Sequence, residues 1–167
     1  MNVALIGMPG TMKTTVGKAL ARQTGLTFTD SDDEFEREEG RTVADTFASR
    51  GEEYFRARET EIIKRLASRD GLIISCGGGV PMREENVKAL SARCVVVLLT
   101  ATPEKIFERT GGWADRPLLA GGGVERVREL WEKRRDAYER AARLTLDTTS
   151  LSPEAAAEKI IGMTGLK

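Results

Sequence analysis

The 167-residue sequence contains no histidine, only two cysteines, 5% aromatic residues and no excess of either charge. Each shortage excludes something. Without imidazole, acid–base chemistry falls to carboxylates, and any metal must be taken by oxygen ligands. Cys76 and Cys94 lie in or beside apolar runs; they are too few for a disulfide framework and read as buried free thiols of a reducing, cytoplasmic compartment. Lys plus Arg equal Asp plus Glu at 26 each, so no net field favours nucleic acid or an acidic membrane, and the expected partner is small. No apolar run reaches the roughly 18 residues of a membrane span, and Met1 leads almost directly into an apolar run, which leaves no room for a targeting segment. The expectation is one domain over residues 1–167, acting as a monomer.

What is present begins with GMPGTMKTT at residues 7–15, between the apolar run 3–6 and the amphipathic run carrying Val16, Ala19 and Leu20. A strand-to-helix turn of this kind offers unpaired backbone N–H groups and a positive dipole end to an anion. A cation in a helix's first turn is unfavourable unless an anion shares the place, so Lys13 points to a triphosphate. Thr14 sets a hydroxyl where a phosphate-bound magnesium ion needs an oxygen ligand. This is the P-loop arrangement Gly-x4-Gly-Lys-Ser/Thr, with one departure: Met12 stands where the pattern has glycine. Its Cβ restricts the backbone, and its side chain is expected to crowd the phosphates. A helix cap with an incidental lysine is the plainer alternative.

Apolar runs at 3–6, 27–29, 72–76, 95–99 and 144–146 read as strands. Helical periodicity covers 14–23, 31–38, 43–49, 52–68, 84–90, 103–109, 124–142 and 153–163. This alternation predicts a three-layer α/β/α fold around a five-stranded parallel sheet. Ligands of such sheets bind beyond the strands' carboxyl ends.

The acidic cluster Asp30, Ser31, Asp32, Asp33 and Glu34 follows the second strand. It is placed to touch magnesium and an acceptor hydroxyl; alternatively, Ser31 or Asp32 caps the next helix. In the helix from Glu52, Glu59 falls inside the apolar stripe of Phe55, Ile62 and Leu66. Arg56, three residues earlier, can pair with it and be aimed at an anion such as a carboxylate, or the two form a solvated ion pair. Gly77, Gly78 and Gly79 follow the third strand, and three glycines there suggest close backbone approach to a ligand or, more simply, a flexible turn. Residues 110–123 carry glycine clusters at both ends, with Arg116 held extended by Pro117, and read as a lid or a disordered loop. Periodicity singles out no arginine of the last long helix.

Taken together, the P-loop at 7–15, Asp30-Ser31-Asp32, Gly51-Glu52 with Phe55-Arg56, the triple glycine and Arg116-Pro117-Leu118-Leu119 resemble shikimate kinase, a nucleoside-monophosphate-kinase-like branch of P-loop proteins. The resemblance covers nearly the whole chain. It implies transfer of the γ-phosphoryl group of ATP to the 3-hydroxyl of shikimate, on the route to chorismate and the aromatic amino acids. It implies catalytic roles for Lys13, Asp32 and Arg116. It implies nucleotide contacts at Gly7, Pro9, Gly10, Thr11, Met12, Lys13, Thr14, Thr15, Arg109, Arg116 and Pro153, the base lying between Arg109 and Pro153. Shikimate contacts fall to Asp32, Arg56, Gly78, Gly79 and Arg134, the last marked by Tyr138 one turn on, with Phe47 and Phe55 walling the ring. Mg2+ would be held by Thr14 and, through water, by Asp30 and Ser75. The substrate-binding region is expected at about 31–60 and the lid at about 110–123. The alternatives are a related small-molecule kinase of the same fold, such as a gluconate or nucleotide kinase, and a shikimate-binding protein whose nucleotide loop Met12 has impaired.

Overall fold

The computed structural model describes residues 1–111 and 123–167. Asn2–Ile6 (β1) is buried along its whole length, as a strand covered on both faces must be. Thr27–Asp30 (β2), Leu72–Ser75 (β3), Cys94–Thr100 (β4) and Leu144–Asp147 (β5) complete a parallel sheet in the order β2-β3-β1-β4-β5. All five expected strands are found, extended by a residue or two in four cases. The sheet's strand order reverses direction beside β1, so the loops after β1, β3 and β4 open a crevice there.

Helices cover both faces: Lys13–Thr24 (α1), Ser31–Glu39 (α2), Val43–Arg50 (α3), Glu52–Ser68 (α4), Glu84–Arg93 (α5), Pro103–Thr110 (α6), Gly123–Ala141 (α7) and Pro153–Thr164 (α8). A short 3-10 turn over Val80–Met82, not expected from the sequence, joins β3 to α5. Two apolar clusters divide the core. One joins α4, α5 and α7 to one sheet face, and the other joins α1 and α8 to the opposite face. No described helix is long and apolar enough to cross a membrane.

Local signals explain the boundaries that matter to the site. The hydroxyls of Thr42, Thr102 and Ser152 cap α3, α6 and α8. The acidic cluster yields a correction: neither Ser31 nor Asp32 caps α2. Asp30 does, accepting from the amides of Asp32 (2.8 Å) and Asp33 (3.2 Å) through Oδ1. One carboxylate thereby satisfies two orphan donors of a helix start, and Ser31 is left to accept from the Gly77 amide at 2.9 Å.

Candidate active site

The loop after β1 closes on itself before α1 begins. Gly7, at φ 147°, lies so near the Leu99 carbonyl that a Cβ would collide with it. Lys13 Nζ donates to the carbonyls of Gly7 (2.9 Å) and Met8 (3.0 Å), and Thr11 Oγ1 donates to Met8 O at 2.8 Å. The ammonium is thus held over the loop's mouth at the amino end of α1.

Met12 is the helix N-cap at φ 72°, ψ 27°, the single non-glycine residue at positive φ among the described residues. That conformation costs an L-residue about 1–2 kcal/mol, and glycine would adopt it without the Cβ penalty. The methionine does not close the crevice. It packs against the cluster of α1 and α8, and forms one wall of a cavity of about 420 Å³ that stays open beside it.

That cavity brings together most of the nucleotide and metal residues expected from the sequence: Pro9, Gly10, Met12, Lys13, Thr14, Thr15, Asp30, Ser75, Arg109 and Pro153, together with Asp32 and Gly78. Gly7 and Thr11 form the turn behind it. Cys76 and Gly77 also line it; neither was given a ligand contact from the sequence, although Gly77 opens the triple glycine and Cys76 immediately precedes it. Thr14 Oγ1 donates to Asp30 Oδ2 at 3.4 Å, and Ser75 pairs in register with Asp30. The result is a patch of hard oxygen donors at the carboxyl ends of β2 and β3. Among the described residues no group of three or more acidic, cysteine or histidine side chains could hold a metal. The donor set therefore suits an ion that keeps waters and phosphate oxygens, as magnesium does, and not a protein cage.

At the cavity's far end Arg109 is fixed by its own hydrogen bonds. Nη1 donates to Gly10 O and Thr148 Oγ1, both at 3.2 Å, and Nη2 to Thr148 O at 2.7 Å. Burial lowers its pKa from the usual guanidinium value, too little to discharge so strong a base. Thr148, fully buried, also contacts the carbonyls of Thr11 and Thr100 at 3.1 Å each. It links the loop after β1 to Arg109. The sequence reading missed it, and its one signal was its place just beyond the carboxyl end of β5.

Beyond the glycine turn lies a second, cationic group of side chains. Arg56 Nη1 donates to Glu59 Oε1 at 2.9 Å, and its Nε lies 3.5 Å from Glu52. Glu59 is 3% exposed, so the solvated-pair reading fails. Its Oε2 has no hydrogen-bond partner among the described residues. Burial raises its pKa above the ordinary carboxyl value, opposed by Arg56, Arg134 and Arg83. The guanidinium of Arg56 stands 5.1 Å from the Phe55 ring centre and 5.9 Å from that of Phe47, and the two rings lie 4.9 Å apart.

Backbone without side chains makes this convergence possible. A Cβ on Gly77 would fall 2.8 Å from Asp32 Oδ1 and 3.0 Å from Glu59 Oε2. One on Gly78 would fall 2.8 Å from Arg134 Nη1, and one on Gly79 would fall 2.6 Å from the Arg56 guanidinium carbon. The flexible-turn reading gives way to close approach from three sides. Asp32 and Gly78 both line the cavity and both adjoin the second group, Gly78 at Arg134 and Asp32 across Gly77 from Glu59. Arg116, Trp113 and the lid expected around them lie outside the described residues.

A parallel sheet with a P-loop after its central strand, and a carboxylate between that loop and an arginine cluster, defines a P-loop phosphotransferase. A family profile described as shikimate kinase matches residues 9–164. The shikimate kinase of Thermodesulfovibrio yellowstonii is 42% identical over 161 residues, spanning 96% of this chain and 92% of the relative. That of Symbiobacterium thermophilum is 43% identical over 151 residues, spanning 89% and 87%. Among solved structures, shikimate kinase from Acinetobacter baumannii in complex with shikimate superposes with a TM-score of 0.92 at 36% identity, over 97% of this chain and 91% of that one. The chain belongs to the shikimate kinase family.

Proposed function

We propose that this chain transfers the γ-phosphoryl group of ATP to the 3-hydroxyl of shikimate, and that Asp32 stands where the two substrates meet. The observation that carries the reading is the double placement of Asp32: it lines the nucleotide cavity, while its Oδ1 abuts Gly77 beside the buried Glu59 of the Arg56 pair. Arg56 and Arg134 hold the acid's carboxylate with the amides of Gly78 and Gly79, and Phe47 and Phe55 flank the ring. Residues 31–60 form most of this acid-binding region.

On the nucleotide side the loop amides and Lys13 cradle the phosphates, and Arg109 and Pro153 bracket the base. Thr14, Asp30 and Ser75 provide the oxygen surface for Mg2+, which when bound neutralises charge on the β- and γ-phosphates. Phosphoryl transfer through a loose transition state needs alignment more than a strong base. Asp32 orients the hydroxyl and accepts its proton as the new P–O bond forms and the bond to the ADP oxygen breaks. The chain acts as a monomer in the cytoplasm.

A second reading, a protein that binds shikimate without turnover, is favoured by one feature, the left-handed Met12 on the cavity wall. A coupled assay for ADP with ATP, Mg2+ and shikimate separates the two. Turnover with shikimate and none with gluconate or nucleoside monophosphates supports the kinase. Shikimate binding without ADP release supports the second reading.

A further inference from the structure

Tyr138 is the largest fully buried side chain in the described structure, on a helix, α7, that is otherwise rich in exposed charge. Its ring packs in the core, with Trp131 stacked at 6.0 Å and 28°. Packing alone would be served as well by phenylalanine. The hydroxyl adds something specific: it donates to the Gly78 carbonyl at 2.7 Å and accepts from Arg134 Nη1 at 3.4 Å. Burial raises the phenol's pKa, so the group stays neutral and keeps the proton it donates.

Both partners of that hydroxyl face the acid pocket. Gly78 lies in the turn whose Gly78 and Gly79 amides the proposed function assigns to the substrate carboxylate, and Arg134 lies so close to the Gly78 α-carbon that a methyl group there would collide with the guanidinium. A guanidinium has five N–H donors, so the one given to tyrosine leaves others for a carboxylate.

We infer that Tyr138 is a positioning residue: its hydroxyl couples Arg134 to the Gly78 carbonyl, so that the guanidinium and the turn's amides reach the substrate carboxylate as one preset surface. The inference rests on the reading that Arg134 grips the acid. Among the described residues, neither the Arg134 guanidinium nor the Gly78 carbonyl is aligned by another hydrogen bond of comparable directness. Arg134 projects from α7, Gly78 follows β3, and the tyrosine oxygen spans 60 residues of sequence to join them.

Tyr138→Phe deletes one oxygen and keeps the ring. The expected result is a rise of about tenfold in KM for shikimate, matched by weaker shikimate binding in calorimetry without nucleotide, with KM for ATP within twofold of the parent. Trp131→Leu removes the stacking partner and keeps the hydroxyl; it should lower Tm and leave the shikimate KM within twofold. In the double variant of Tyr138→Phe with Arg134→Lys, the loss should be smaller than the product of the single losses, because the tyrosine acts through the arginine. An unchanged shikimate KM in Tyr138→Phe, equal losses for both substrates, a matching KM rise in Trp131→Leu, or multiplicative losses in the double variant would each overturn the inference. Failure of the underlying site reading shows differently, as absent shikimate binding in the parent or an Arg134→Lys variant that binds normally, and in that case both fall.

Discussion

Position 12 holds a methionine in backbone geometry that ordinarily selects glycine, at the point where α1 starts. The steric conflict foreseen in the sequence is present as left-handed strain, while the side chain finds apolar company along α1 and α8 and leaves the cavity open. The side chain still forms a wall of the cavity proposed for the phosphates. Met12→Gly should therefore lower the Kd for ATP by about tenfold, roughly 1.4 kcal/mol, with kcat nearly unchanged; calorimetry that returns equal ATP affinities would show that the wall costs nothing. Asp32 makes the opposite split. Asp32→Asn keeps size and removes the proton acceptor, so kcat should fall by about a hundredfold or more while the KM for ATP stays within a few-fold, and a variant with full turnover would remove Asp32 from the reaction.

Among the elements, α4 shows most clearly what a sequence can and cannot disclose. Its apolar stripe and the Arg56–Glu59 spacing were legible from periodicity alone. So was the place of Glu59 on the buried face; the close passage of Gly77 over its carboxylate, possible only without a side chain, was not. Likewise the five apolar runs located the strands, but the cap of α2 went to Asp30, since only the register of β2 against β3 reveals which carboxylate reaches the first turn. The 3-10 turn over Val80–Met82 escaped notice because it has one turn's length and no period to detect. Arg134 emerged from its charged helix only through family resemblance, and Thr148 did not emerge at all, its role depending on three carbonyl and guanidinium neighbours distant in sequence.

The burial of Glu59 has a pH signature. Its carboxyl titrates near 4.5 in the unfolded chain, and burial raises that value in the folded protein. A raised carboxyl pKa favours the folded state fully below the unfolded value, and that contribution is lost as pH rises through the folded value. The melting temperature of the parent relative to Glu59→Gln should therefore decline as pH is raised from about 4.5 toward neutrality. Parallel profiles for the two proteins would mean that Glu59 titrates as freely folded as unfolded.

For the whole molecule, the parallel sheet sets the division of labour. The loop after β1 lines the cavity proposed for the nucleotide, α4 and α7 bring arginines from the other side, and the segment after β3 separates them by the thickness of a glycine backbone. With 26 positive and 26 negative residues and no net charge, the attraction for anionic substrates arises from placement and not from a general field. In the proposed reaction, Asp32 at the junction determines which atom of the acceptor faces the phosphate. Phosphorus and proton NMR of the product formed from ATP, Mg2+ and shikimate tests that arrangement most directly. The account predicts a single phosphoester, with phosphorus coupled to the proton on the carbon bearing the 3-hydroxyl. Free phosphate without an ester, or an ester at another hydroxyl, would contradict it.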